Sequence, residues 1–217
     1  MLENITSFLR NALYVVPAIL ISLTFHEFGH AYAAYKMGDP TARNLGRMTL
    51  NPLAHIDPIG FILLVLFGFG WAKPVPVNPR NYNNFKKGEI VVSLAGVTMN
   101  LILAVVGAMI LYTMLAVNGY KMMTDSVLST IAIILYYFVG LNCGLIVFNL
   151  IPIPPLDGSR ILFAILPNKF YFGIMKYERY IMIAMFLLLL TGALTTPLSY
   201  LSNLIYNAFN KFFYIIF

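Results

Sequence analysis

The sequence predicts an all-α membrane protein, a polytopic helical bundle of about four to six transmembrane segments, with one re-entrant segment and a short extended (β) stretch near its candidate active site. Three observations predict this. Of 217 residues, 60% are hydrophobic and only 10% charged, whereas about a quarter of a soluble domain is charged. Several apolar runs reach the roughly 20 residues that cross the hydrocarbon layer as a helix. The cations gather between those runs, as loops on one side of a membrane do. No stretch is polar enough for a separate soluble domain, so residues 1–217 are expected to form one unit, with a core over about 12–162 and C-terminal helices over about 178–217. The formal charge of +6 is then accounted for by loops meeting anionic headgroups of a lipid bilayer, and no nucleic-acid partner is expected. A lone cysteine, Cys143, excludes an internal disulfide and reads as a packing residue. Arg10 before an apolar run imitates a signal peptide, but the run continues with no small-residue cleavage site.

Residues 1–10 are short and polar, and the first helix follows over residues 13–35. Those roughly 23 residues are enough to cross a bilayer. Gly38-Asp39-Pro40 stops the helix. Residues 41–57 contain Arg43, Arg47, Asn51, His55 and Asp57 and are too polar to span. Within them 44–50 alternate loosely, which predicts the short extended stretch, an edge able to pair with a substrate backbone. Residues 59–72 are apolar but only 14 long, the length of a re-entrant piece. Charge supports that reading: Lys36, Arg43 and Arg47 precede it, and Lys73, Arg80, Lys86 and Lys87 follow. If the piece dips in and returns, all seven cations stay on one side.

Residues 73–88 form an extended loop, because residues before proline avoid the helical region. Two long spans follow over 89–117 and 126–150, joined by a loop whose only charges are Lys121 and Asp125. At the end of the second, Pro152, Pro154 and Pro155 break the helix and free backbone groups, which is tolerated at membrane depth only beside protein or a wet cavity. The alternative is a loop just outside the bilayer, with Asp157 capping a new helix. Asn142 and Asn149, seven apart, share a face expected to point inward. Residues 160–178 read as a cationic connector interrupted by apolar 161–166, and 180–196 as a span of marginal length ended near Pro197. The tail, 198–217, carries Asn203, Asn207 and Asn210 as a polar stripe and either lies on the membrane or crosses it.

Chemistry concentrates at His26-Glu27-Phe28-Gly29-His30. Two histidines four apart share one helix face, and a glutamate beside them is placed to activate water on a metal that they hold, the pattern of a zinc hydrolase. A carboxylate at the centre of a span costs roughly 2.5–3.5 kcal/mol on insertion scales, so Glu27 calls for a role that offsets this. His26 lies ten residues before Lys36, roughly 15 Å from that end at about 1.5 Å per residue. A catalytic zinc takes three protein ligands, and no glutamate occurs between Glu27 and Glu89. Asp125 falls on the wrong side, Asp39 sits in the turn beyond the helix, and His55 and Asp57 lie in a polar loop. Asp157 needs only that two spans pack together. Spacing leaves it open against His55 and Asp57.

With the HEFGH motif, the pattern Asn149-x-x-Pro152-x-x-x-Leu156-Asp157-Gly158 resembles the site-2 protease family of intramembrane zinc metalloproteases. The blocks Gly38-Asp39-Pro40-Thr41-Ala42, Gly46-Arg47-Met48-Thr49-Leu50-Asn51-Pro52, His55-Ile56-Asp57-Pro58 and Lys73-Pro74-Val75-Pro76-Val77-Asn78 are similar to those of its small prokaryotic members. The resemblance implies one zinc ion per chain held by His26, His30 and Asp157, with Glu27 as catalytic base. It also implies cleavage of transmembrane segments of other proteins in a prokaryotic plasma membrane, with the active site toward the cytoplasmic side. Family members often carry Gly-Pro-x-x-Asn in the span after the re-entrant region, where this chain has Gly96-Val97-Thr98-Met99-Asn100. No PDZ or CBS regulatory domain fits within this length.

Asn149 and Asn100 are candidates for holding substrate or a developing oxyanion, and helix packing is the alternative for Asn149. Two rival classes make different patterns. A metal-ion or proton transporter distributes its ionisable groups along a path through the membrane, whereas here they cluster at one depth. A catalytically inactive metal-binding scaffold needs the ligands but has no use for Glu27.

Overall fold

The structure is a computed structural model and describes residues 2–67, 70–119, 121–166, 173–174 and 176–216. Its elements are helical: α1 (Leu2–Lys36), α2 (Thr41–Asn44), α3 (Pro58–Phe67), α4 (Phe85–Asn118), α5 (Lys121–Thr124), α6 (Ser126–Leu150), α7 (Asp157–Ile165), α8 (Glu178–Leu190) and α9 (Thr195–Ile216). The portion of α1 from Ala12, together with α4 and α6, is long and apolar enough to cross a membrane. The pair α8 and α9, bent by 81°, adds a fourth crossing if it acts as one span. The chain is an all-α integral membrane protein.

Most boundaries follow local chemistry. Gly38 ends α1 at a φ of 108°, which an L side chain rarely adopts, and Asp39 N donates back to Ala34 O at 2.9 Å. A side chain at Gly38 would also collide with the Asn81 carbonyl. Asn84 caps α4 by accepting from Lys87 N, and Asp125 caps α6 by accepting from Val127 N and Leu128 N. Three expectations change. Residues 2–10 do not precede the first helix but belong to it, for α1 starts at Leu2, since nothing before Pro17 breaks it. Apolar 161–165 belongs to α7, with Leu166 as its C-cap, rather than to a connector, and residues 167–172 and 175 of that expected connector lie outside the described residues. Pro197 opens α9 instead of ending α8: it lies in the first turn, where its missing N–H costs nothing, and the break falls at Gly192 with φ 78°.

At the predicted extended stretch, 44–50, Asn44 ends α2 and the residues after it form turns and bends. Leu45 N, Gly46 N and Arg47 N donate back to Thr41 O, Arg43 O and Ala42 O, so these amides continue the end of α2 and leave no ladder to build. Among the described residues the isolated antiparallel bridge is Ile56 with Ala72. Beside it Lys73 N donates to His55 O at 2.9 Å. A Cβ at Gly60 would lie 2.2 Å from Trp71 O, so the two legs of the 57–71 segment run tightly together.

Helix α4 is the centre of the bundle and packs on α1, α6 and α7, while α9 lies against α6 and α4. Small residues permit the approach: a Cβ at Gly29 of α1 would lie 2.9 Å from Ala95 O of α4. Farther along, Ala104 and Ala108 pack with Val139, Cys143 and Phe213 in a purely apolar core.

Candidate active site

The HEFGH segment lies on α1 with His26, Glu27 and His30 all buried, the two imidazoles against α4. After α6 the prolines turn the chain, and α7 begins at Asp157. Asp157 does not cap that helix, because its carboxylate points at the imidazoles instead. Asp157 Oδ2 lies 3.3 Å from His26 Nε2 and 3.1 Å from His30 Nε2, and the two Nε2 atoms are 3.0 Å apart.

The opposite ring nitrogens decide which atoms offer lone pairs. His26 Nδ1 is 2.7 Å from Asn100 Oδ1, and His30 Nδ1 is 2.8 Å from Val92 O. Both partners are acceptors, so each ring carries its proton on Nδ1 and turns the Nε2 lone pair to the common point. The amide orientation of Asn100 is fixed in turn, since its Nδ2 donates to Asn142 Oδ1 at 2.9 Å and Asn142 Nδ2 donates to the Phe138 carbonyl at 2.8 Å as well as to Ser22 Oγ at 2.9 Å.

Three electron-pair donors, one of them anionic, therefore converge within 3.3 Å. Tetrahedral ligation at about 2.0–2.1 Å places ligand atoms roughly 3.3 Å apart, so this donor set fits a zinc ion in separation as well as in chemistry. Asp157 Oδ2 is buried with no hydrogen-bond donor of its own. The space is also reserved on the α4 side: a Cβ at Gly96 would sit 2.5 Å from His30 Nε2 and 2.6 Å from His26 Cε1.

Among the described residues, His26, His30 and Asp157 make up the group able to hold a metal. The rival ligands are occupied elsewhere. His55 Nε2 lies 2.8 Å from Thr49 O, and Asp57 accepts from Gly60 N at the start of α3. Asp39 is fully buried outside the span. Burial alone would raise its pKa, but donors from Asn78 N, Thr41 and Asn81 hold its carboxyl below the ordinary value.

Around the metal group is a cleft of about 430 Å³, lined by Glu27, Trp71, Val75, Ser93, Asn149 and Arg160 among others. Glu27 Oε2 accepts from Val75 N at 2.7 Å. Asn149 faces the cleft, with its Nδ2 also donating to Leu145 O. Asn100, expected at the substrate, is fully buried behind His26 with its amide engaged on both sides and does not line the cleft. Ser22 and the Val75 N–H do not stand out as site groups in the sequence, and Asn142 and Gly96 stand out only as an inward-facing residue and as the start of the block ending at Asn100. The available signal is spacing: Ser22 precedes His26 by one helical turn, and Gly96 precedes Asn100 by one.

A helical membrane protein that joins an HExxH helix to a distant aspartate is built as a membrane-bound metallopeptidase. Known proteins agree. Peptidase family M50 matches residues 114–192. YwhC of Bacillus subtilis is 41% identical over 179 residues, covering 82% of this chain and 80% of that protein. Rip2 of Mycolicibacterium smegmatis is 31% identical over 149 residues, 66% of this chain and 54% of Rip2. Zinc metalloprotease MJ0392 of Methanocaldococcus jannaschii is 29% identical over 153 residues, 70% of this chain and 34% of its own length. No solved structure matches. The chain belongs to peptidase family M50, the site-2 proteases.

Proposed function

We propose that this protein is an intramembrane zinc endopeptidase that hydrolyses peptide bonds within or near transmembrane segments of other membrane proteins. The observation that carries the reading is the convergence of His26 Nε2, His30 Nε2 and Asp157 Oδ2, each aimed by its own hydrogen bonds or helix start, beside a buried glutamate that is not one of them. Residues 1–217 act as one catalytic unit.

In this reading His26, His30 and Asp157 hold the ion. When bound, zinc supplies a Lewis acid that polarises the scissile carbonyl and lowers the pKa of water toward 7. Glu27 takes the proton of the attacking water and returns it to the leaving amine. Asn100 fixes the His26 tautomer, and Asn142 and Ser22 fix Asn100. Asn149, on the cleft wall, holds substrate backbone or donates to the developing oxyanion. A helical substrate masks its amides in its own hydrogen bonds, so it unwinds locally before it enters. The segment 57–71 leaves and returns at one point, where Ile56 pairs with Ala72, which supports a re-entrant loop. On this reading Lys36, Arg43, Arg47, Lys73, Arg80, Lys86 and Lys87 share the cytoplasmic side, as the positive-inside rule favours, and the site lies nearest that face.

A transporter needs ionisable groups strung across the membrane, and the ligands here sit together at one level. An inactive scaffold leaves Glu27 unexplained. Two variants assayed with purified protein and a tagged single-span substrate test the reading. Glu27→Gln is expected to keep zinc and lower cleavage by about 10²–10⁴-fold. Asp157→Ala is expected to lose zinc. Unchanged cleavage in the first or full zinc content in the second overturns the assignment.

A further inference from the structure

We propose that residues 73–78 form a clamped presenting element whose central N–H, that of Val75, sets the orientation of Glu27, with Arg47 and Asp39 as remote positioning residues. The inference rests on Glu27 being the base. The sequence Lys73-Pro74-Val75-Pro76-Val77-Asn78 carries prolines on both sides of Val75. Proline has no N–H and fixes its own φ, and the residue before it stays extended. Two consequences follow. The segment is stiff without a sheet to support it, and its register against α1 is forced. A slip of one residue in either direction would put a proline nitrogen, which cannot donate, opposite Glu27.

Both ends are tied. At one end Lys73 N donates to His55 O, and Arg47 Nη2 donates to Lys73 O at 2.8 Å and Pro74 O at 3.1 Å. At the other, Asn78 N donates to Asp39 Oδ2 at 2.6 Å, and Asn81 Nδ2 donates to Asp39 Oδ1 at 2.8 Å. Asp39 is fully buried. In the middle, the Val75 side chain packs with Ala31 and Ala42, and Ala31 is one helical turn beyond Glu27 on α1. Side chain and backbone of Val75 therefore grip the same stretch of α1. The contact divides the carboxylate: Oε2 is held by the N–H at 2.7 Å, which leaves Oε1 to exchange the proton.

The test compares Val75→Pro, which deletes the N–H, with Val75→Ala, which keeps it, in purified zinc-loaded enzyme on the same tagged substrate. Val75→Pro is expected to lose about tenfold or more in kcat, with KM within about twofold and zinc content unchanged, since misplacing a catalytic group by about 1 Å costs up to roughly 10²-fold. Val75→Ala, which trims the packing on Ala31 and Ala42 but keeps the N–H, is expected to lose clearly less kcat than Val75→Pro, and Arg47→Ala and Asp39→Ala to fall between the two. Should Val75→Pro lose zinc through the added ring, an ester in place of the residue-75 amide removes the N–H alone and must show the same loss of kcat. Equal kcat for the N–H-deleted and Val75→Ala enzymes overturns the inference. Glu27→Gln, run alongside, separates the failures: if it stays active the base assignment falls, and if it is dead while the N–H-deleted enzyme is normal, only the presenting element falls.

Discussion

The two halves of α4 make the same kind of helix and bury opposite kinds of surface. From Phe85 to Asn100 the buried residues include Glu89, Ser93, Gly96 and Asn100, and from there to Asn118 they are Ala104, Gly107, Ala108 and Leu111. The first half faces imidazoles, and the second faces Val139, Cys143 and Phe213. Both halves use small residues, for different ends. Gly107 lets Phe138 approach, where a Cβ would lie 2.8 Å from Cδ1. Gly96 keeps open the space where the ligand rings meet. The helix backbone is indifferent to this change, so chemistry is written on it entirely by side chains, and equal substitutions should have unequal results.

Gly96→Ala is the strongest test of the contrast. Its methyl would lie 2.5 Å from His30 Nε2, against two rings whose other nitrogens are pinned to Asn100 and Val92. Neither ring can turn aside without giving up its second hydrogen bond. Zinc content measured on the purified protein is expected to fall close to zero, with cleavage lost and membrane expression maintained. A Gly96→Ala enzyme with full zinc and activity would mean that the polar half is as forgiving as the apolar one.

Asn100→Ala should come next. It leaves His26 in place but removes the acceptor that fixes its tautomer, and it takes the donor from Asn142 Oδ1. Losing such an outer partner typically weakens metal affinity about 10–100-fold, to be read by competition with a chelator. Asn142→Ala should weaken it less, because Asn100 Nδ2 retains a longer bond to Ser22 O at 3.4 Å.

Much of this is legible in the sequence, and the parts that are not have a common cause. The long spans come from apolar length, with α6 recovered at Ser126–Leu150. His26, Glu27 and His30 share one turn of one helix, so local spacing suffices to group them. Asp157 lies 127 residues after His30, and spacing alone leaves it open against His55 and Asp57, since contact across helices has no period. Asn100 stands out in the sequence, but its place does not, because a buried asparagine in a span reads alike whether it faces a cleft or the back of a ring. Alternation at 44–50 imitates a strand, whereas the segment lying on α1 is 73–78, where prolines hide the alternation. Loose periodicity does not register that the amides of 45–47 are already committed to α2.

Gly107→Ala tests the apolar half. Its methyl meets a phenylalanine ring edge and Val139 Cγ2 at 3.1 Å, groups that can shift at the cost of overpacking, typically about 1–3 kcal/mol. Thermal unfolding should move down by several degrees while zinc content and kcat/KM stay within about twofold. Loss of zinc here would erase the distinction between the halves.

The smallest expected effect concerns pH, and it should appear only at the polar end. Asp39, buried beyond the end of α1, has its carboxyl held below the ordinary value by Asn78 N, Thr41 and Asn81 against the opposing effect of burial. A group with a depressed folded pKa contributes stability that is fully present above its unfolded pKa, near 4, and is lost as pH falls through the lower folded value. Between pH 7 and 5 Asp39 should therefore add no slope, and below about pH 4 it should steepen the loss of stability. Asp39→Asn cannot titrate. Its melting temperature should lie below that of the parent at neutral pH and approach it in acid. Every other titratable side chain is common to both proteins, so the difference between the two curves isolates Asp39. Parallel curves down to about pH 3, below the unfolded value, would remove Asp39 as an ionised anchor of residues 73–78, leaving Arg47 and His55 to hold that segment from one end alone.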